Sequence, residues 1–476
     1  MKRLLTALFT ALLLTAALCV SASAADFQAV AEDLSSIGMF RGTAGGDFAL
    51  DRAPTRSEAA IMLVRLYGAE QEAAEQYAAG TISHPFTDVS GTAAPYVAWL
   101  RTHGIANGVT DTAFGSSRAC TAQNYVVFLL RALGYQDGKD FQYNDAISFA
   151  VGKGLFDMSM FSGAFLRDDL AAVTYQALAC ELKDGSTYLL DSLVKSGAID
   201  ASAAKPITDK IETYRALLSA SAALGNALDV SFTAKANAAV SVDGTVDGEK
   251  MQQSMTLPIS YSGKIQMVLD SKPQMAVTMR GSAMGSDLDM GCWLKDGWLY
   301  VQSGDESFKV DLGDQLDEAL GAYRQLMDVS GQLSAAMLPY IDTLTANRSG
   351  GNTTYTLTLN NDAVSGLVDD VVALVLTATG DAGLELDLDM DVTLGNCSYS
   401  YTVGSNGQLK QVAANLDMEM GMDVAQDAQN QMAVKVGLEI EMDMTVHASG
   451  KAVKVSYPSN LSKFPAVIGG AVGSLA

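Results

Sequence analysis

The chain has 476 residues, 49% of them hydrophobic, and a formal charge of −23. That length and apolar content call for two or more domains with real cores. So acidic a surface excludes nucleic acid and anionic lipid headgroups as partners drawn by bulk charge.

The sequence starts Met1-Lys2-Arg3, continues as an apolar run from Leu4 to Val20, and closes with Ser21-Ala22-Ser23-Ala24-Ala25. A basic start, a short apolar core and small residues in an A-x-A pattern make residues 1–24 a secretory signal peptide, cleaved after Ala24. The run is short for a bilayer span, and small rather than basic residues follow it. Cys19 lies near its end, but Leu18 before it does not suit lipid attachment. No later stretch is long enough to cross a bilayer, so no transmembrane segment is expected after cleavage. Cleavage leaves Cys120, Cys180, Cys292 and Cys397, widely spaced and without C-x-x-C, so no metal site is expected. Spacing alone does not decide between free buried thiols and two cross-links, Cys120 with Cys180 and Cys292 with Cys397.

Three segments then share one plan: a helix, a Gly-containing turn, an aromatic residue, a polar step and a second apolar helix. The first is AVAEDLSSIGMFRG, Phe48 and PTRSEAAIMLVRLYG. The second is FTDVSGTAAPYVAWLRTHGIANG, Phe114 and CTAQNYVVFLLRALGY. The third is FQYNDAISFAVGKGLF, Phe161 and Phe165, and LRDDLAAVTYQALAC. Each second helix has apolar residues at helical spacing, such as Ala60, Leu63, Val64 and Tyr67, or Val126, Leu129, Leu130 and Leu133. Thr55 and Thr121 suit N-caps, and Glu58 three residues after Thr55 completes a capping box. Leu166 is a poor cap, but Asp168 and Asp169 put negative charge in the first turn. Gly68 and Gly134 stop their helices.

With these features the segments resemble S-layer homology domains, the wall-anchoring repeats of many Gram-positive surface proteins. Three signatures carry the resemblance: F-x-D-V at Phe86–Val89, G-I-x-x-G at Gly104–Gly108, and T-R-x-E at Thr55–Glu58. It implies an all-α, pseudo-threefold bundle over residues 25–183, with units at about 26–68, 86–135 and 141–180. It also implies binding of secondary cell-wall polymer, a pyruvylated polysaccharide, through Thr55, Arg56, Glu58, Asp88, Gly108, Arg167 and Asp169. Arg56 would present its planar fork to the sugar carboxylate, with Arg167 in the equivalent place. The second unit has Thr121-Ala122-Gln123-Asn124 with no arginine, which leaves two binding grooves of three. Chemistry alone favours another role for both arginines, a local ion pair with the acids of their own helix starts.

From Leu182 to about Ala227 the chain is helical in pattern, with Leu189, Leu190, Leu193 and Val194, and residues 184–204 read as a linker. From Pro206 a helical pattern opens a β-rich domain over 205–460, followed by a tail at 461–476. Beyond Asp229 apolar and acidic residues alternate: Leu384 to Val392, Leu416 to Met422, Leu438 to Val446. Asp243-Gly244, Asp296-Gly297 and Asn406-Gly407 are hairpin turns by composition. Two helical stretches, Gln315–Asn347 and Asp362–Thr377, interrupt the strands. The fold class is therefore multidomain: the all-α bundle, then an α+β domain with a large curved antiparallel sheet and packed helices. By element order this domain resembles the half-barrels of bacterial extracytoplasmic lipoprotein carriers of the LolA or LppX type. That resemblance implies an apolar ligand between sheet and helices, for which the methionines 390, 418, 420, 422, 442 and 444 would make a deformable lining. Ordinary packing of the sheet on its own helices is the plainer account of the same stripe.

The histidines His84, His103 and His447 lie near no hydrolase or metalloprotease motif, and the carboxylates alternate along strands as a solvated face would. No enzyme activity and no cofactor are expected. The reading is a secreted cell-surface protein, anchored non-covalently to the wall by carbohydrate binding and displaying a β-rich binding or structural domain. The alternative is an extracytoplasmic carrier or sensor of a lipophilic ligand, with the repeats as a tether.

Overall fold

The computed structural model describes residues 27–43, 45–156, 164–225, 229–246, 249–250, 255–268, 273–283, 286–312, 335–361, 388–427 and 430–467. Residues 1–24, read as a signal peptide, Phe161, residues 315–334 and the expected helix at 362–377 lie outside them. No described helix is long and apolar enough to cross a membrane. The described chain divides into two compact units. One holds the residues up to Arg215 together with 335–342, and the other holds the remainder from Ala216 on.

The first unit is built from helices α1 (Gln28–Ser36), α2 (Arg56–Leu66), α3 (Glu70–Ala78), α4 (Ala94–Thr102), α5 (Ala122–Ala132), α6 (Ala146–Gly152), α7 (Arg167–Leu178), α8 (Leu189–Lys195) and the first part of α9 (Ala201–Gly225). The expected caps form. Thr55 Oγ1 accepts from the Glu58 N–H at 3.2 Å, and a Glu58 carboxylate oxygen accepts from the Thr55 N–H at 2.7 Å. Thr121 accepts from the Asn124 N–H at 3.3 Å. Leu166 has no acceptor, so only the return half exists there, from the Leu166 N–H to Asp169 at 2.7 Å. The second helices of the repeats carry the core: Leu63, Tyr125, Leu129, Leu130 and Tyr175 are fully buried. α5 packs against both α2 and α7, and its Tyr125 hydroxyl bonds Thr174 of α7 at 2.6 Å. The stretch read as a linker contains α8, whose Leu189, Leu190 and Leu193 are buried against the unit. The helical pattern at Leu189–Val194 forms, and apolar residues at i, i+1 and i+4 give α8 a face to bury.

The second unit is one antiparallel sheet of β1 (Val230–Val246), β2 (Glu249–Lys250), β3 (Met255–Val268), β4 (Gln274–Ala283), β5 (Ser286–Lys295), β6 (Trp298–Ser303), β7 (Glu306–Asp311), β8 (Ile341–Ser349), β9 (Asn352–Leu359), β10 (Leu388–Leu394), β11 (Ser398–Val403), β12 (Leu409–Asp427) and β13 (Asn430–Ser449). The order is β7-β6-β5-β4-β3-β1-β13-β12-β11-β9-β8, an open path, with β10 paired to β12 and β2 to β1. The alternation holds. Leu438, Ile440, Met442 and Met444 are half-buried, whereas Glu439 and Glu441 are exposed. Met418 is likewise half-buried; the side chains of Met390, Met420 and Met422 lie outside the description. On the apolar face Ala220 of α9 packs with Val403, Leu409 and Val412.

Three expectations are corrected. Asp243-Gly244 is not a turn but part of β1, where Asp243 faces Lys435 in a ladder to β13 that runs on to Val246. A long partner strand overrides a local turn signal. Residues 335–347 are not α-helical: Ala335–Tyr340 is a 3-10 helix containing Pro339, and Ile341–Ser349 is a strand. Proline removes a helix donor, and the Thr-Leu-Thr alternation that follows favours a pleated edge. The first part of the tail is not loose, since Leu461 and Phe464 are buried against Trp293 and Ala276. Backbone bonds from Lys309 to Pro465 and from Val467 to Lys309 then cover the β7 edge. The Asp296-Gly297 turn forms as expected, with φ of 51° and 81° at its two residues.

All four described cysteines are free thiols. Burial pushes Cys120 and Cys180 up to about 12. Thiols held protonated and buried are inert. A thiol-reactive chromophore is therefore expected to label these four sites negligibly in the native chain and all four after denaturation without reductant.

Candidate functional site

The three signatures converge on the start of α2. The segment after Phe114 lies along it: the Arg56 N–H donates to the Arg118 carbonyl at 2.8 Å, the Ser57 N–H to Ser116 at 3.2 Å, and the Cys120 N–H to Pro54 at 2.8 Å. The first two bonds satisfy first-turn amides of α2 that a helix otherwise leaves open. Asp88 fixes the same segment, accepting from the Phe114, Gly115 and Ser116 N–H groups at 2.7, 2.7 and 3.0 Å. Those bonds, led by Phe114, hold its carboxyl below the usual range. Asp88 is thus a positioning residue. Gly108 is a close-approach position, because a Cβ there would fall on the Phe86 ring edge and on the carbonyl oxygens of Thr110 and Ala113. Gly108→Ala is expected to cost about 1–3 kcal/mol, read as a lowered melting temperature of the helical signal.

This frame sets the Arg56 guanidinium over the Phe114 ring, 4.8 Å from its centroid. One Nη donates to the Asn107 carbonyl at 2.9 Å, inside the G-I-x-x-G turn, while Nε is buried without a protein partner. Burial lowers its pKa, and Cys120, Tyr143 and Arg118 lie within electrostatic reach. Arg118 is exposed. Among the described residues no carboxylate comes within ion-pair distance of Arg56 or Arg118. The local pair with Glu58 that chemistry favoured for Arg56 does not form.

Glu58 is taken by other arginines. Arg52 grips it with two bonds of 2.6 and 3.0 Å, and Arg167 reaches it at 3.0 Å. Burial alone would raise the Glu58 carboxyl, but the bonds from Arg52 and the Thr55 N–H and the charge of Arg167 hold it down at about 2.

Arg167 begins α7 as Arg56 begins α2, and its backbone repeats the arrangement. The Arg167 N–H donates to Arg52 at 2.9 Å and the Asp168 N–H to Leu50 at 3.2 Å. Its side chain, however, is only 5% exposed and saturated. It donates to the Phe48 and Arg41 carbonyls, pairs with Glu58 and lies 4.7 Å from the Phe40 centroid. Asp169 bonds its own helix start, and burial raises its carboxyl to about 6. Asp168 accepts from the Phe27 N–H at 2.8 Å. In the second repeat Gln123 and Asn124 of α5 bond Tyr143 of the third, through its carbonyl and its hydroxyl.

The structure therefore brings Thr55, Arg56, Asp88 and Gly108 to one place and spends Glu58, Arg167 and Asp169 on internal contacts. Sequence reasoning missed Arg118, Arg52 and Tyr143. None belongs to a signature; Arg118 and Tyr143 reach the site across a repeat boundary, and Arg52 grips Glu58 from six residues away in the first repeat.

Residues 85–121, which contain the Asp88-fixed segment and Gly108, match the S-layer homology domain family. Over 114 residues the chain is 31% identical to the middle cell wall protein of Brevibacillus brevis, a match spanning 24% of this chain and 10% of that protein. The structural comparison gives LprF from Mycobacterium bovis, with 12% identity, a TM-score of 0.24, and coverage of 52% of this chain and 97% of that one. It also gives the ywiB protein of Bacillus subtilis, with 6% identity, a TM-score of 0.11, and coverage of 44% and 92%. Scores this low establish no shared fold for the β-rich unit. The family match and the relative support a location at the cell wall or cell surface. Residues 85–121 are thus the stretch of this chain that is similar to S-layer homology domains.

Proposed function

We propose that this is a secreted wall-anchored protein whose three repeats form one S-layer homology bundle gripping an anionic secondary cell-wall polymer. The carrying observation is the pair Arg56 and Arg118, two guanidiniums without a carboxylate partner among the described residues in a chain of charge −23. Arg56 is desolvated over an aromatic ring and keeps one buried N–H unspent, the arrangement that makes a charge-assisted bond to a sugar carboxylate strong. In this reading one groove binds, at Arg56, and the Arg167 position is structural. A pyruvyl ketal on the polymer supplies the carboxylate. The β-rich unit is the displayed part, a binding or structural domain rather than an enzyme. Its acidic residues alternate along strands, and its one histidine, His447, is engaged with the Thr233 hydroxyl at 3.0 Å.

Calorimetric titration of the mature chain with solubilised wall polysaccharide tests this. Saturable binding that weakens with added salt and is lost once the pyruvyl groups are removed is the expected result. Equal binding before and after their removal refutes the carboxylate-recognising groove.

A further inference from the structure

The helical unit is not one continuous piece of chain. Residues 335–342 come more than a hundred positions after Arg215, yet they belong to it. Leu338 is 0% exposed, Tyr340 2% and Ile341 3%, as low as the unit's own core. The Tyr340 ring meets Phe27 edge to face, with centroids 5.1 Å apart, just ahead of α1. The turn Ala335–Tyr340 packs on α7. Lys210 of α9 donates to the Ile341 carbonyl at 2.6 Å and lies over Tyr175 of α7, 5.5 Å from the ring centroid. Asp33 of α1 and Asp342 face the same ammonium. Phe27 is held in turn by Asp168 at the start of α7.

We propose that Ala335–Ile341 is an in-chain clasp: it fills the seam between α1, α7 and α9, so the anchoring unit is complete only with a segment from the β-rich half of the sequence. Three nearly unexposed side chains are a large share of what separates a marginally stable unit from its unfolded state. When the segment leaves the seam, α1 loses the ring that Phe27 packs on, and Lys210 loses the Ile341 carbonyl as acceptor in a desolvated place. The segment reaches the seam as an intramolecular ligand. Its effective concentration falls when the chain between Arg215 and Ala335 unfolds and the connecting loop becomes long and loose. Integrity of the displayed unit thereby supports that of the anchor. Its use for wall attachment rests on the function proposed above, but the clasp itself does not.

Hydrogen exchange read by mass spectrometry on the full mature chain tests the clasp without any wall ligand. Tyr340→Ala and Leu338→Ala are each expected to raise exchange in α1 and α7 at least tenfold and to leave β4–β6 unchanged. Tyr340→Phe is expected to stay at the wild-type level. Tyr340→Leu, which keeps a buried apolar side chain, is expected to give a smaller rise in the same peptides if the alanine variants do not fold. Unchanged exchange in α1 and α7 in Leu338→Ala and Tyr340→Leu, or a rise confined to β8 and β9, overturns the proposal. A clasp that passes this test in a chain that fails to bind wall polymer would sink only the function proposed above.

Discussion

Arg56→Ala is expected to weaken the proposed binding to wall polysaccharide about 10–100-fold while leaving thermal unfolding nearly unchanged. The factor follows from the net worth of a hydrogen bond to a charged group in a desolvated site, about 1.5–3 kcal/mol. The small stability effect follows from what Arg56 does at home. Its side chain makes one bond, to the Asn107 carbonyl, and stacks on Phe114, whereas the joint between α2 and the 114–120 segment is made by backbone groups that alanine retains. Arg56→Lys restores charge but not the planar fork, and recovers binding only in part. Arg118→Ala produces a smaller loss, since that side chain is exposed and its charge is screened. Isothermal titration on all three variants, beside melts followed at 222 nm, separates recognition from folding. A loss of binding in Arg56→Ala that tracked a loss of helix would count against the groove.

The second large effect is on stability. Glu58→Ala strips the carboxylate from Arg167, which is 5% exposed, and from Arg52, and it removes half of the Thr55 capping box. Leaving a buried guanidinium without its partner costs about 3–5 kcal/mol. For a unit of this size that lowers the melting temperature by on the order of 10 °C. The same group sets an acid limb. The Glu58 carboxyl is depressed from an ordinary 4.5 to about 2 in the folded chain. Between these values the unfolded state binds the proton first, so stability is fully present above about 4.5 and is lost as the pH falls toward 2. Thermal melts of the wild type should show that decline in the helical transition, and in Glu58→Gln it should be smaller. A wild-type transition flat from pH 5 to 2.5 would contradict the Arg52–Glu58–Arg167 cluster.

Which of these features were legible in the sequence depended on how local they were. Thr55 and Glu58 are three residues apart, and their box was read from spacing; the turn at Asp296-Gly297 and the alternation of β13 were read the same way. The partners of Glu58 were not. Arg167 lies in another repeat, and only the way α7 docks on the 48–52 segment brings it there. The difference between Arg56 and Arg167 was hidden for the same reason, since both open apolar helices after comparable motifs and only burial tells one from the other. In the β-rich unit the errors came where long-range pairing outranked a local signal. Asp243-Gly244 was drawn into β1 by β13, and Ile341–Ser349 became an edge strand beyond Pro339. The packing of Phe464 on Trp293 and Tyr300 joins residues so far apart in sequence that no periodicity reports it.

Wall anchoring itself is tested most directly by co-sedimentation of the mature chain with purified sacculi, before and after the secondary polymer is stripped by acid. The chain is expected to pellet with intact sacculi and to remain in solution with stripped ones. Equal pelleting with both, or no pelleting with intact sacculi, would contradict anchoring through that polymer.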